Sequence, residues 1–316
     1  MSLRLGYGTN GFADHRLHEA LDVIASLGFE GVGLTLDHHH LDPFDTDLTG
    51  RCEQVRRDLE QRGLSVVVET GGRYVLDPVR KHEPTLVCED GRSRRVDLLA
   101  RAIRVAEGIG APVVSFWSGV LPTGTPARKG TERLVASLEH LVPLAEAAGV
   151  RLALEPEPGH HVSVVDEALD VLDRLGHPDG LALTVDVGHV VCNEPRGLGD
   201  TLRHVGDRLA NVQLDDMRPG VHEHLEMGDG DVDLVEVVQT LLELGYQGLA
   251  AVELPRHSHA APAVARRSAL ALQAALVEAD RRTGGQSVPP TNRSGPPLTA
   301  GAPRSAPSSL TVGTRS

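Results

Sequence analysis

The 316-residue chain is poor in cysteine, in lysine and in long apolar runs, and each shortage removes a class of function. Three cysteines, Cys52, Cys88 and Cys192, are odd in number and far apart. They supply neither a disulfide framework nor a Cys-x-x-Cys zinc site, and a reducing, cytoplasmic setting fits them. Among 31 basic residues only Lys81 and Lys129 are lysines. Neither lies in a strand-like run, so Schiff-base chemistry, which needs a desolvated lysine, is disfavoured. No stretch approaches the roughly 18 apolar residues of a membrane span. Met1-Ser2-Leu3-Arg4 leads into a strand without the apolar core of a signal peptide, so no membrane association is expected. Basic charge is short as well. The net charge is −13, and the five arginines between Arg281 and Ser316 face no acid there, so the 280 residues before them are more negative still. Such a surface repels phosphate backbones and disfavours nucleic acid as the main partner. The turn after the first strand, Gly8-Thr9-Asn10-Gly11-Phe12, lacks the G-x-G-x-x-G spacing, and no Walker-type phosphate loop occurs.

What is present is one repeated unit. Apolar or β-branched runs lie at Leu3–Gly8, Gly31–Leu36, Leu64–Glu69, Pro112–Trp117, Val150–Glu155, Leu181–Asp186, Ala210–Asp215 and Leu249–Glu253. Between them apolar residues recur at helical spacing, as in Leu17, Leu21, Ile24 and Leu27. Seven of these helical segments close on a glycine before the next strand (Gly28, Gly63, Gly110, Gly149, Gly176, Gly206, Gly245), where a left-handed residue ends a helix. Eight strands alternating with eight helices, the last at Pro262–Asp280, predict a closed (β/α)8 TIM barrel over residues 1–280, a single domain. Residues 281–316 are rich in Pro, Gly, Ser and Thr and read as a disordered tail.

The active site of such a barrel forms at the C-terminal strand ends. Strand five ends in Glu155, strand six in Asp186, strand seven carries Gln213 and strand eight ends in Glu253. One carboxylate closing an apolar run is equally a helix cap or half of a salt bridge. Three converging in one mouth repel one another unless a cation sits between them. Their donors are all oxygen, which suits Mn2+ or Mg2+, while a nearby histidine shifts the balance toward Zn2+ or Co2+. His189, after the Gly188 turn, is placed to contact a substrate hydroxyl or relay a proton. His222 and His224, in a polar loop after strand seven, are placed to clamp a ligand, with a solvated loop as the plain alternative. Glu69 and Trp117 end strands three and four, and Trp117 either packs the barrel rim, the plainer role, or offers its face to a ligand. Arg218 just past strand seven, and Arg73, Tyr74, Lys81 and His82 in the lid-length loop Gly71–Asp90, offer anion contacts. Asp37-His38-His39-His40 follows strand two as a further candidate lining.

At these residues the chain resembles the sugar phosphate isomerase/epimerase family of the xylose isomerase-like TIM-barrel superfamily, over about residues 3–280. The resemblance rests on Leu-Ala-Leu-Glu155-Pro-Glu-Pro-Gly, Asp186-x-x-His189, His224-Leu-Glu-Met-Gly-Asp-Gly and Glu253. It implies one divalent metal held by Glu155, Asp186, Gln213 and Glu253, with Gln213 standing where many relatives have histidine. It also implies a small sugar-like substrate and proton transfer by Glu155 and Glu253 through a metal-stabilised enediolate, giving an isomerase or epimerase. A homo-oligomer is compatible with it. A dehydratase of an inosose or dehydroshikimate type uses the same enediolate and stays open. An endonuclease IV-like phosphodiesterase, which takes histidines where strands three and four here end in Glu69 and Trp117-Ser118, ranks lower. A barrel with a dead site acting as a binding module is disfavoured by the intact Glu–Asp–Gln–Glu set.

Overall fold

The computed structural model describes residues 3–282 and 284. Eight parallel strands close a barrel: β1 (Arg4–Gly8), β2 (Gly31–Thr35), β3 (Ser65–Glu69), β4 (Val113–Trp117), β5 (Arg151–Glu155), β6 (Leu181–Asp186), β7 (Leu209–Leu214) and, after a hairpin of β8 (Asp216–Arg218) and β9 (Val221–Leu225), β10 (Leu249–Val252). The helices are α1 (Leu17–Ser26), α2 (Leu48–Arg62), α3 (Arg92–Ile109), α4 (Ala127–Ala147), α5 (Val165–Arg174), α6 (Val187–Asn193), α7 (Leu198–Val205), α8 (Leu234–Glu243) and α9 (Ala261–Arg282). The order round the barrel follows the chain, with β10 closing between β7 and β1.

The eight expected strands form within a residue or two of their expected limits. Two expectations change. The connection after β6 contains two helices, α6 and α7, where one was expected, and the polar loop after β7 is in part an antiparallel hairpin, Asp216 pairing with Leu225. Asp216 accounts for much of the downstream glycine motif: its carboxylate accepts hydrogen bonds from the backbone of Gly228, Gly230 and Val232 at 2.8–2.9 Å. All seven helix-ending glycines have positive φ, from 54° to 86°, so their role in stopping helices is structural. Helix α9 runs through Arg282, and apart from Gly284 the rest of the expected 281–316 tail lies outside the described residues. No helix among the described residues is long and apolar enough to cross a membrane.

Strand periodicity stacks the barrel interior in layers. Val67, Val113, Ala153, Ala182, Leu249 and Ala251 pack together as an apolar plug. Two residues further along the same faces come Glu69, Ser115, Glu155, Thr184 and Glu253. Along the strands Glu69 pairs with Thr35 on one side and Ser115 on the other, Glu155 pairs with Trp117, and Asp186 with Gln213.

Candidate active site

The strand ends open into a cavity of about 480 Å³, lined by Glu69, Trp117, Glu155, Glu157, Gln213, His222, His224 and Glu253, with Arg73, Lys81 and Arg256 at its edge. Carboxylate oxygens of Glu155, Asp186 and Glu253 all lie within 4.8 Å of one another. Glu155 and Asp186 are buried and Glu253 half-buried. Burial pushes the Glu155 carboxyl well above the usual range, and the charges of Glu157, Glu253, Glu69 and Asp186 push it further. Glu253 is raised to about 8, again by burial first, against the opposing pull of His224. Asp186 goes the other way: burial raises it, but His189 and His224 outweigh that and carry it below the ordinary value.

The local chain explains how Asp186 is held. Its Oδ1 caps α6 by accepting from the backbone N–H of Gly188 (2.8 Å) and His189 (3.1 Å), which leaves Oδ2 buried without a hydrogen-bond partner. Gly188 is needed here because a Cβ would lie 2.2 Å from Asp215 Oδ1. Gln213 shows the same division. Its Nε2 donates to Glu69 Oε2 at 3.3 Å, so the amide is oriented and Oε1 is left buried and unpartnered. Glu69 Oε1 accepts a second amide, Asn211 Nδ2, at 3.1 Å. Burial lifts the Glu69 carboxyl to about 8, against the hydrogen bonds from Asn211 and Ser115. A buried polar atom without a partner is costly. Two such oxygens beside a cluster of carboxylates fit a divalent cation held by Glu155, Asp186, Gln213 and Glu253.

The histidines form a second layer. His189 is buried and its Nδ1 donates to the Pro156 carbonyl at 3.1 Å, so Nε2 carries the lone pair and faces His222 Nε2 at 3.1 Å. Burial lowers the His189 imidazole to about 4 and lowers His222 as well, keeping both neutral at pH 7. His224 Nδ1 lies 2.6 Å from Asp215 Oδ2. Asp215 itself is fully buried, and burial followed by the nearby Asp186 charge raises its carboxyl far above the ordinary value.

A family model described as xylose isomerase-like TIM barrel matches residues 21–275. The chain belongs to this family. L-ribulose-5-phosphate 3-epimerase UlaE of Escherichia coli K12 is 26% identical over 241 residues, 75% of this chain and 81% of that protein. Fructoselysine 3-epimerase of Shigella flexneri is 25% identical over 287 residues, 89% of this chain and 100% of the relative. A solved structure of L-ribulose 3-epimerase shares the fold, with a TM-score of 0.74 at 19% identity over 89% of this chain and 97% of that one.

Of the residues singled out from sequence, this family barrel brings together Glu155, Asp186, Gln213, Glu253, His189, His222, His224 and Trp117. Trp117 is buried, edge-on to His82 (5.2 Å) and His160 (5.0 Å), with the Arg95 guanidinium 4.7 Å from its ring centre. Its indole is wall packing as much as open face. Arg218 is not brought in: the hairpin turns it to solvent, where its guanidinium bonds the Asp229 carbonyl, and it does not line the cavity. The His38–His40 run divides, His38 and His39 lining the cavity while His40 is buried and bonds the His15 carbonyl. Sequence reasoning passed over three residues. Asn10 donates to Glu253 Oε1 at 2.9 Å, Glu157 lines the cavity 3.5 Å from His222, and Asp215 underlies His224. Glu157 had a signal in the Glu-Pro-Glu repeat at a strand end. Asn10 had none beyond following β1.

Proposed function

We propose that this chain is a divalent-metal-dependent sugar isomerase of the epimerase type, acting at a carbon next to a carbonyl in a sugar-like substrate. The carrying observation is the convergence of Glu155 and Glu253, which line a cavity of sugar size, with the buried Asp186, the Gln213 and Asp186 oxygens being left free. A metal ion bound there, Mn2+ or Mg2+ being the best match to oxygen donors, would supply positive charge to the substrate's carbonyl and hydroxyl oxygens.

The chain's own residues do the rest. One of the two glutamates takes the proton from the carbon bearing a hydroxyl, leaving the electron pair delocalised on the neighbouring carbonyl as an enediolate. The other returns a proton to the opposite face, and the product is the epimer. Burial and the neighbouring carboxylates raise both carboxyls in the metal-free chain, and a bound cation would draw them back toward the carboxylate form that a base needs. Asn10 fixes the rotamer of Glu253 through its 2.9 Å hydrogen bond, and His222, which lines the cavity and is held by His189 at 3.1 Å, offers a hydrogen bond to a substrate hydroxyl without adding charge. The epimerase names of two relatives spanning most of this chain support the same reading.

Incubation with Mn2+ and a panel of ketoses in D2O tests it. Deuterium at the carbon next to the carbonyl, in recovered substrate and in its epimer, is expected. Loss of water would assign a dehydratase instead, and no exchange with any ketose would overturn the proposal.

A further inference from the structure

The hairpin after β7 delivers two histidines to the cavity on different supports, His222 on another imidazole and His224 on a buried carboxylate. We propose that the His224 imidazole holds a hydroxyl at the carbonyl end of the substrate, and that Asp215 is the positioning residue that aims it. This rests on the proton transfer proposed above for where that carbonyl end lies.

The chain geometry brings the pair together. β7 ends at Leu214, and Asp215 is the next residue, fully buried. β8 and β9 then double back, pairing Asp216 with Leu225, so that His224 comes to lie against Asp215. Strand alternation puts His222 and His224 on one face of β9 and Glu223 on the other. Both histidines line the cavity, but the His222 side chain is 33% exposed and that of His224 only 13%. His224 is therefore part of the wall, not of a solvated loop.

The imidazole has one nitrogen taken. His224 Nδ1 meets Asp215 Oδ2 at 2.6 Å and has no other hydrogen-bond partner among the described residues. A nitrogen and an oxygen that close need a hydrogen between them, whichever atom carries it, so Nδ1 is committed to Asp215. Nε2 is then the ring nitrogen left for the cavity, and a buried carboxylate behind an imidazole fixes the direction in which it points. Asp215 is held in turn. Its Oδ1 fills the space beside Gly188, where a Cβ would lie 2.2 Å away, in the same turn whose amides hold Asp186. The His224 charge draws down Glu157, Asp186 and Glu253, which sets the ring among the carboxylates rather than at the rim.

The test uses the full chain loaded with Mn2+ and reads deuterium exchange with ketoses, calorimetric Mn2+ titration, and binding of the matching alditols, which cannot exchange. His224→Ala should lower kcat/KM about 30-fold, mainly through KM, and weaken alditol binding about 10-fold. Asp215→Leu should cost about 10-fold in kcat/KM, and the double variant should be no worse than His224→Ala alone. Asp215→Asn, whose carboxamide can still bond Nδ1, should stay within about 3-fold of the parent chain. Mn2+ affinity and stoichiometry should be unchanged in all four. Additive losses, or Asp215→Asn as weak as Asp215→Leu, would remove Asp215 from the role. A second cation per chain that is lost in His224→Ala would assign the imidazole to a metal and overturn the proposal. If no ketose exchanges, the proton-transfer reading fails and alditol binding still decides the pair; a parent chain that binds no alditol overturns both.

Discussion

The floor and the mouth of the barrel are built from the same strands two residues apart, yet they obey opposite rules. On β5 the floor residue is Ala153 and the mouth residue Glu155; on β3 they are Val67 and Glu69. The floor is dry, small and apolar, with nothing to titrate and every contact satisfied by packing. The mouth holds buried carboxylates and unpartnered oxygens that burial alone makes unfavourable. A stable floor can carry a mouth that is strained until a cation and a substrate arrive, and that division of labour is the lesson of the comparison.

The sharpest way to break it is to neutralise the mouth at constant shape. Glu155→Gln and Glu253→Gln should each lower kcat by on the order of 10³-fold, as expected for loss of a general acid–base. Melting temperature of the metal-free protein should hold or rise, because a desolvated acid is gone. Full activity in either variant would sink the two-glutamate mechanism. A smaller effect is expected one shell out. Glu69→Gln turns one of the two acceptor oxygens into a donor, so Asn211 and Gln213 can no longer both be held and the Gln213 amide is freed to turn its Nε2 inward. Metal affinity should fall about 10- to 100-fold by calorimetry, with Gln213→Glu recovering part of it in the double variant. An unchanged affinity would show that Gln213 needs no such support.

The smallest effect is in pH. Glu69, Glu157 and Glu253 have carboxyls raised to about 8 in the folded chain. The folded state therefore holds more protons than the unfolded one, and stability is lost as pH climbs through that region. Burial keeps His82 and His160 neutral, at about 4 and about 3, so their opposing effect is confined to pH below about 6.5. Between pH 7 and 8.5 the metal-free protein should lose on the order of 5 °C in Tm. Added Mn2+ should stabilise it more at the upper end. A flat metal-free profile would mean that the mouth carries no such strain.

How much of this was legible beforehand varied with distance from the strand ends. Glu155, Asp186, Gln213 and Glu253 were reached by reading where apolar runs stop, because alternation fixes which face a strand residue takes. Arg218 was assigned by the same proximity and lies outside the cavity, because a hairpin reverses the chain there and sends it to solvent. Asp215 and Asp216 are neighbours with identical chemistry and opposite work. One underlies His224, and the other pins three backbone amides of the glycine motif. No local pattern separates them.

By itself the sequence determined the repeat of strand, helix and glycine stop, hence a closed eight-stranded barrel with acids at one rim, since periodicity and turn chemistry are local. Only the tertiary structure decided which buried oxygens lack partners, which cations face the same cavity as the acids, and which way Gln213 points. Those depend on residues more than a hundred positions apart, such as Glu69 on β3 and Gln213 on β7, which only the closure of the barrel brings together.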